Sequence, residues 1–600
     1  NPTPTPEPLL GVTWTPVTGS QISYLNIDKS LSMATDLVKA RVDFWEKLHE
    51  SYDSYVNMVE TVIVRVAQGS VRGQKVTTEA GATYYSFHAI PYAKPPVGPL
   101  RFKAPQPAAP WEGIRDALKE GNVAPQTGVF QDKSYYGDED CLFINVFTPK
   151  LPVRTTDVLK PVMVHIHGGA FCLGSGNSQM LGPGLMMNTG EVVLVTMNYR
   201  LGALGFLSTG DKVVPGNNGL KDQVLALRWV QQNIAQFGGD PGNVTIGGIS
   251  AGGGSVHLQV VSPMSKGLFH RAIAQSGSAF CPWAAEDPAI ARSKAFRLGE
   301  ALGCKTSDSK ELVEFLMKVP AQQLTEGIEK TLMEEEKHPL PLFFLPVIEK
   351  EKHKEEVFLP DRPTDLIRKG KFSKVPLIIG VTSKEGKLIM PDLVEHTSWY
   401  NSLTDNWEPL LTVNLKLPKG TEQIKEIGRK IQEFYFSNKA VSKETWPQLL
   451  DVYGDILFNI WAYRAAKEQQ SKSSAPVYLY QFSHEQKAAH LLPAGVTDIS
   501  IPGASHGADL AYFFETALTD IFPPLDEEGV TVSSKLLKMW INFSKTGNPT
   551  PEPDSLLGVT WSPVTKTELH YLNIDKELTM HKDLMKENMD FWDKVLASWE

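Results

Sequence analysis

Short apolar runs recur along the chain, each bounded by Gly, Pro or polar residues. Val62-Ile-Val-Arg-Val66, Leu142-Phe-Ile-Asn-Val-Phe147, Pro161-Val-Met-Val-His-Ile166 and Val192-Val-Leu-Val-Thr196 read as β-strands. So do Asn243-Val-Thr-Ile246, Pro376-Leu-Ile-Ile379 and Val477-Tyr-Leu-Tyr480. Several are apolar throughout rather than alternating, as expected of strands covered on both faces. Leu220 to Phe237 places Val224, Leu227, Trp229, Val230 and Ile234 along one side of a helix. This alternation of strand and helix, over roughly 54–547, predicts an α/β protein. The stretch 305–356 interrupts it with Glu334-Glu-Glu336 and the charged run 349–356, and reads as a solvated helical face or loop.

The two ends of the chain repeat one another. Residues 1–53 align with 548–600 without a gap, and 30 of the 53 positions are identical. Leu9-Leu-Gly-Val-Thr-Trp14 matches Leu556-Leu-Gly-Val-Thr-Trp561, Tyr24-Leu-Asn-Ile-Asp-Lys29 matches Tyr571-Leu-Asn-Ile-Asp-Lys576, and Asp43-Phe-Trp45 matches Asp590-Phe-Trp592. Each copy predicts a Pro-rich entry, a short strand through Val and Trp, a turn, and a strand over Tyr-Leu-Asn-Ile. A helix then follows, with Leu37, Phe44, Trp45 and Leu48 on its apolar side. One body needs one such tail. The expected organisation is therefore a body at 54–600 preceded by a segment, 1–53, that duplicates its C-terminal tail. That segment reads as the end of a preceding tandem domain, with a duplicated segment packing elsewhere as the alternative.

With 42% hydrophobic and 21% charged residues among 600, the chain can bury a large core. A net charge of −9 provides no basic footprint for nucleic acid or for an anionic membrane surface. No apolar run approaches the ~18 residues of a spanning helix. The opening Asn-Pro-Thr-Pro lacks the basic and apolar regions of a signal peptide and an initiator Met, so a processed or excised chain is expected. Cys141, Cys172, Cys281 and Cys304 form neither a CxxC pair nor a Cys/His cluster, and no metal site is expected.

Chemistry enters at Gly248-Ile-Ser-Ala-Gly252, which follows one predicted strand and precedes a predicted helix. That strand–turn–helix setting is what a nucleophile elbow requires, because the glycines permit a tight turn that lifts the Ser250 hydroxyl. His167-Gly-Gly-Ala-Phe171 also directly follows a strand. Its Gly168 and Gly169 amides, with that of Ala251, are candidate donors to a developing oxyanion. A serine nucleophile needs a base and the base an orienting carboxylate. Composition alone leaves the base open among fourteen histidines. Ser505-His-Gly-Ala-Asp509 offers the best context, with His506 on a small-residue loop before a predicted helix at 510–514. His338, His353, His484 and His581 sit in polar surroundings and are expected to be exposed. For the acid, Glu385 in Ser383-Lys-Glu-Gly386 follows a strand, where it would face a site at the strand's carboxyl end.

Taken together these motifs resemble the type B carboxylesterase/cholinesterase family, over roughly residues 60–600. Glu139-Asp-Cys-Leu142, Asn145-Val146, Gly216-Asn-Asn-Gly-Leu-Lys-Asp-Gln223 and Phe237-Gly-Gly-Asp-Pro241 are similar to further segments of that family, and insect α-esterases look nearest. The resemblance implies an α/β-hydrolase fold, a large, mostly parallel twisted sheet with helices on both faces. It also implies Ser250 as nucleophile, Glu385 as triad acid, His506 as base, and Gly168, Gly169 and Ala251 as the oxyanion hole. No metal or organic cofactor is implied.

The chain departs from the family in three places. Ile249 stands where the family usually has Glu, which puts the rate in question. Ala124 stands where the partner of Cys141 is usual, and no cysteine follows Cys304, so neither usual bridge can form. That absence favours a cytoplasmic protein, with secretion as the alternative. The stretch 128–136 lacks the Trp on which cholinesterases stack a quaternary ammonium, which argues against acetylcholine as substrate. The expected function is hydrolysis of small apolar carboxylic esters through an acyl-enzyme. The alternative is an esterase-like storage, assembly or sequestering protein with weak activity, and the duplicated tail suggests association.

Overall fold

The computed structural model describes residues 60–128, 134–154, 156–328, 344–349, 357–486, 501–517, 519 and 523–597, with the backbone of two short strands at 23–27 and 31–35. The chain divides into two compact units, Asn1–Thr61 and Val62–Glu600. In the first, Ser23–Ile27 pairs antiparallel with Leu31–Thr35. The expected helix of that segment, with Leu37, Phe44, Trp45 and Leu48, lies outside the described residues, as do Phe130, His338 and His353.

The second unit is built on a thirteen-stranded sheet. Its strands in chain order are β1 (Thr61–Val66), β2 (Gly69–Thr77), β3 (Thr83–Pro91), β4 (Phe143–Thr148), β5 (Lys160–Ile166), β6 (Val193–Met197), β7 (Gly239–Ile249), β8 (Arg271–Gln275), β9 (Leu377–Thr382), β10 (Val477–Phe482), β11 (His570–Ile574) and β12 (Leu578–Lys582). Across the sheet they run β12-β11-β10-β9-β8-β7-β5-β6-β4-β3-β2-β1, and a short strand, Ile114–Asp116, pairs with β2. The seven strands from β11 to β6 are parallel, whereas β12, β4 and β3 pair antiparallel. The expected α/β-hydrolase architecture is therefore present.

Alternate residues of the same strands enter two different apolar clusters, which shows that both faces are covered. Val162, Val164, Val193 and Val195 face one cluster, with α1 (Asn218–Asn233) and α2 (Ala251–Val261). Met163, Leu194, Ile273 and Ile378 face the other, which includes Leu536, Met539 and Trp540 of α3 (Glu527–Thr546). This is why those strands read as continuously apolar.

The sequence reading differs from the structure in three places. In the C-terminal tail, Val559–Trp561 forms no strand. Trp561 is instead buried against the rings of Tyr478 and Tyr480. The strand that pairs with β11 is β12, in a stretch read as the approach to a helix. His484 is buried rather than exposed, with Nδ1 3.2 Å from Asp575 Oδ1. The charged stretch 305–356 contains helices at Ser309–Leu316 and Ala321–Ile328, and much of its remainder lies outside the described residues.

A π-helical turn, Asp455–Asn459, interrupts the helical stretch Trp446–Lys472. Such turns re-aim side chains and often sit at functional sites. Asp455 anchors it from a buried position, accepting from Tyr435 Oη (2.6 Å), Asn459 Nδ2 (2.8 Å) and Asn588 Nδ2 (2.7 Å). Burial pushes its carboxyl up from 3.8 to about 6. Between those values the folded protein keeps a proton that the unfolded chain has released, so stability falls as pH rises through that window. Raising the pH from about 4 to about 7 should lower the melting temperature of the wild-type chain relative to Asp455→Asn, whose amide does not titrate. A difference that stays constant across the range would contradict this.

Candidate active site

Each sequence-predicted site residue lies just beyond the carboxyl end of a parallel strand, where open α/β sheets form their crevice. Gly168 and Gly169 follow β5, Ser250 follows β7, and Glu385 follows β9. His506 lies on the long connection after β10.

Ser250 has φ 57° and ψ −125°. A non-glycine residue is uncommon there and costs of order 1–3 kcal/mol. Its N–H donates to Gln275 O at 2.8 Å, and its carbonyl accepts from the Gly254 N–H at 2.8 Å as α2 begins. The hydroxyl does not turn back to cap the helix, and the residue is partly exposed. The flanking glycines answer a steric need. A Cβ on Gly252 would lie 2.1 Å from Ile166 O, and one on Gly168 would lie 2.6 Å from Ile249 O and 3.1 Å from Ser250 Cβ. The elbow and the end of β5 are thus in backbone contact.

That contact also assembles the amide donors. The N–H groups of Gly168, Gly169 and Ala251 make no hydrogen bond to a described residue. Unpaired backbone donors are rare in folded proteins, and Gly168 and Ala251 lie at the contact between the end of β5 and the elbow. Gly169, Ala170 and Phe171 all have positive φ, and the Gly169 carbonyl turns away to accept from the Cys172 and Leu173 N–H groups, both at 2.9 Å. His167 braces the loop from below. Its ring stacks on Tyr199 at 4.3 Å, its Nδ1 bonds Gly168 O at 2.7 Å, and its own carbonyl accepts from Tyr199 Oη at 2.9 Å. Burial depresses the His167 pKa to about 4, so the imidazole is neutral near pH 7 and Nδ1 carries the proton that bond requires.

Glu385 is fully buried and accepts three hydrogen bonds. Oε2 lies 2.5 Å from His506 Nδ1, and Oε1 accepts from Ser276 Oγ at 2.6 Å and the Thr382 N–H at 2.7 Å. An Nδ1–H donor to the carboxylate leaves the Nε2 lone pair as the acceptor on the open side of the ring. Phe458, carried by the π-helical turn, stacks on the imidazole at 4.4 Å and 29°. The connection that holds His506 is tied down by the Lys384 N–H to Ala504 O and by the Ala504 N–H to Ser383 Oγ, both at 2.9 Å. Asp509, one turn beyond, accepts from Gln275 Nε2 at 2.8 Å and Tyr480 Oη at 2.9 Å. Gln275 also holds the Ser250 N–H, so one strand end positions both the elbow and the base's loop.

Several of these supports escaped sequence reading. Ser276 and Phe458 bear no motif, although Ser276-Gly-Ser278 after a β-rich run is the small-residue signal of a strand end near a site. Residues of two segments that carry the family resemblance make structural contacts. Glu139 holds Arg101 (Nε to Oε1 2.7 Å), Asp222 holds buried Arg200 (Nη2 to Oδ1 2.6 Å), and Asn217 bonds Val347 O at 2.7 Å. Ile249, where the family usually has Glu, is buried in the apolar cluster shared with α3. Among the described residues, no group of three His, Cys, Asp or Glu could hold a metal ion.

Residues 60–592 match the model of the carboxylesterase family. The chain is 39% identical over 512 residues to Esterase FE4 of Myzus persicae, covering 84% of this chain and 87% of that protein. It is 34% identical to Venom carboxylesterase-6 of Apis mellifera, over 88% and 93% of the two chains. In structure it resembles the juvenile hormone esterase of Manduca sexta with OTFP covalently attached. The TM-score is 0.79 at 32% identity, covering 90% of this chain and all of that one.

These likenesses overturn the expectation of a cytoplasmic protein. A relative named for venom is a secreted one, and the likeness favours secretion. None of the four cysteines is in a disulfide. Burial raises the thiol pKa of Cys141 and Cys281, and buried, protonated thiols are inert, so their unpaired state says nothing about the redox compartment.

Gly168→Ala should force the end of β5 away from the elbow. The expected result is a fall in kcat of about 10²–10³ on a p-nitrophenyl ester with the fold retained. Unchanged kcat in a cooperatively folded variant would contradict this close approach.

Proposed function

The chain belongs to the carboxylesterase family, and on that premise we propose that Ser250, His506 and Glu385 are its nucleophile, general base and orienting acid. The protein is a carboxylic ester hydrolase. The observation that supports the residue assignment is the 2.5 Å contact of Glu385 with His506 Nδ1, together with the strained backbone of Ser250 at the strand–helix turn.

The proposed reaction runs as acyl transfer. His506 Nε2 takes the Ser250 hydroxyl proton as Oγ attacks the ester carbonyl. The N–H groups of Gly168, Gly169 and Ala251 bind the resulting oxyanion. Collapse breaks the bond to the alkoxy oxygen, which leaves as alcohol with the proton from His506 Nε2–H. Water, deprotonated by the same nitrogen, then attacks the acyl-enzyme and releases the acid. Glu385 orients the imidazole and stabilises the imidazolium, and its two further donors keep it from swinging away.

The substrate class rests on the surroundings. A line of aromatic rings runs from the oxyanion loop to the base. Phe171 lies 6.3 Å from Trp283, Trp283 lies 5.9 Å from Phe458, and Phe458 stacks on His506. With Ile249 in place of a carboxylate, this favours small esters with apolar acyl or alcohol groups over cationic ones. No observation favours the storage or sequestering reading. The duplicated tail supports association with another body, as developed below.

Ser250→Ala should abolish hydrolysis of p-nitrophenyl butyrate while the chain still melts cooperatively, and undiminished turnover would refute the assignment. Glu385→Gln should lower kcat by about 10³ or more with little change in KM, because an amide cannot stabilise the imidazolium. A loss confined to KM would point to a binding role instead.

A further inference from the structure

The duplication of residues 548–600 as 1–53 extends to the paired backbone. Ser23 faces Thr35 and Ile27 faces Leu31 in the first hairpin. His570 faces Lys582 and Ile574 faces Leu578 in the second. Every partner is displaced by the same 547 positions as the sequence repeat, so the two copies build one hairpin in one register.

The second copy shows what such a tail is for. Its strand β11 extends the sheet beside β10. Trp561 is buried and donates through Nε1 to Leu479 O at 3.2 Å, and the Val564 N–H reaches Val477 O at 2.7 Å. Phe591 stacks on Phe434 at 4.4 Å, and Trp592 Nε1 donates to Tyr435 Oη at 2.6 Å. The counterparts of these four residues in the first copy are Trp14, Val17, Phe44 and Trp45, all unchanged. The sequence differences fall mainly at exposed positions. Lys566, Glu568, Glu577 and Lys582 become Gly19, Gln21, Ser30 and Thr35. Among buried apolar positions only Leu596 changes character, to His49. The positions that dock in the second copy are therefore retained in the first, and many that are exposed in the second copy vary.

The sheet edge beside β10 is filled by β11 and β12, and β1, the strand that follows the first copy in sequence, lies at the opposite edge. A separate copy of the chain carries its own tail, tethered directly after its body at an effective concentration of about mM, which excludes a competitor of equal affinity. The order body-then-tail leaves one partner with an open edge. We propose that residues 1–53 are a sheet-edge segment that closes another body of this same fold, joined ahead of this one in the same polypeptide. This inference is independent of the catalytic assignment, since it concerns folding rather than turnover.

The test replaces residues 548–600 with the sequence of residues 1–53 in an otherwise complete chain, with a second version that keeps Asn588 and Leu596 in place of the Arg41 and His49 counterparts. The expected result is a soluble chain with one cooperative melt, in at least one version, and with the wild-type ester hydrolysis rate within about two-fold. Trp14→Ala in the 600-residue chain should leave the melt and the rate unchanged, whereas Trp561→Ala should lower the melting temperature. Failure of both versions to fold, or equal damage from Trp14→Ala and Trp561→Ala, would overturn the proposal. The natural polypeptide should also migrate above the 66.4 kDa of this sequence on a denaturing gel, by the mass of at least one further body, and a single band at 66.4 kDa would overturn it as well.

Discussion

A serine held at positive φ between a strand and a helix is the constraint from which the site follows. The backbone is strained there, so it persists only because its surroundings over-determine it. The Ser250 N–H is held by Gln275, its carbonyl by the first turn of α2, and the end of β5 lies so close that neither Gly168 nor Gly252 has room for a Cβ. Relaxing the turn would break these contacts together. The same closeness brings the start of the β5 loop against the elbow, so the proposed nucleophile and the proposed oxyanion donors depend on one packing contact. Such preorganised donors, fixed before substrate arrives, account for a large share of rate enhancement in acyl transfer.

His506, the proposed base, is held by different means. Ser250 is fixed by strain and sterics, whereas His506 is fixed by charge and aromatic stacking. Glu385 spends two of its hydrogen bonds on Ser276 and the Thr382 backbone, which locks the carboxylate before it meets the imidazole. Phe458 covers a ring face from a π-helical turn whose anchor, Asp455, is bonded to Asn588 in the C-terminal tail. The tail therefore reaches the active site through two contacts, Asn588 to Asp455 and Phe458 to His506.

Much of this was legible in the sequence because its signals are local. A strand run into Gly-x-Ser-x-Gly fixes an elbow, and His-Gly-Gly after a strand fixes a donor loop. Both are dictated by backbone sterics within a few residues. Glu385 and His506 lie 121 residues apart, and residue patterns alone left them among alternatives that the family resemblance narrowed. Ser276, Phe458 and Asp455 were invisible, since their roles exist only once distant elements pack. β12 was missed because its alternating Leu578-Thr-Met-His-Lys582 follows an exposed turn and pairs on one side only. The polar surroundings of His484 suggested exposure, yet long-range packing buries it beside Asp575. Cysteine count misled on compartment because an inert buried thiol needs no partner in an oxidising space.

The central claim is that one hydroxyl, Ser250, is made nucleophilic by this packing. Its most direct test is exhaustive labelling of the folded protein with diisopropyl fluorophosphate, followed by peptide mass mapping. The account predicts one phosphoryl adduct per chain, on the peptide that contains Ser250, formed as hydrolytic activity disappears. An adduct on another residue, or full loss of activity with Ser250 unmodified, would contradict it.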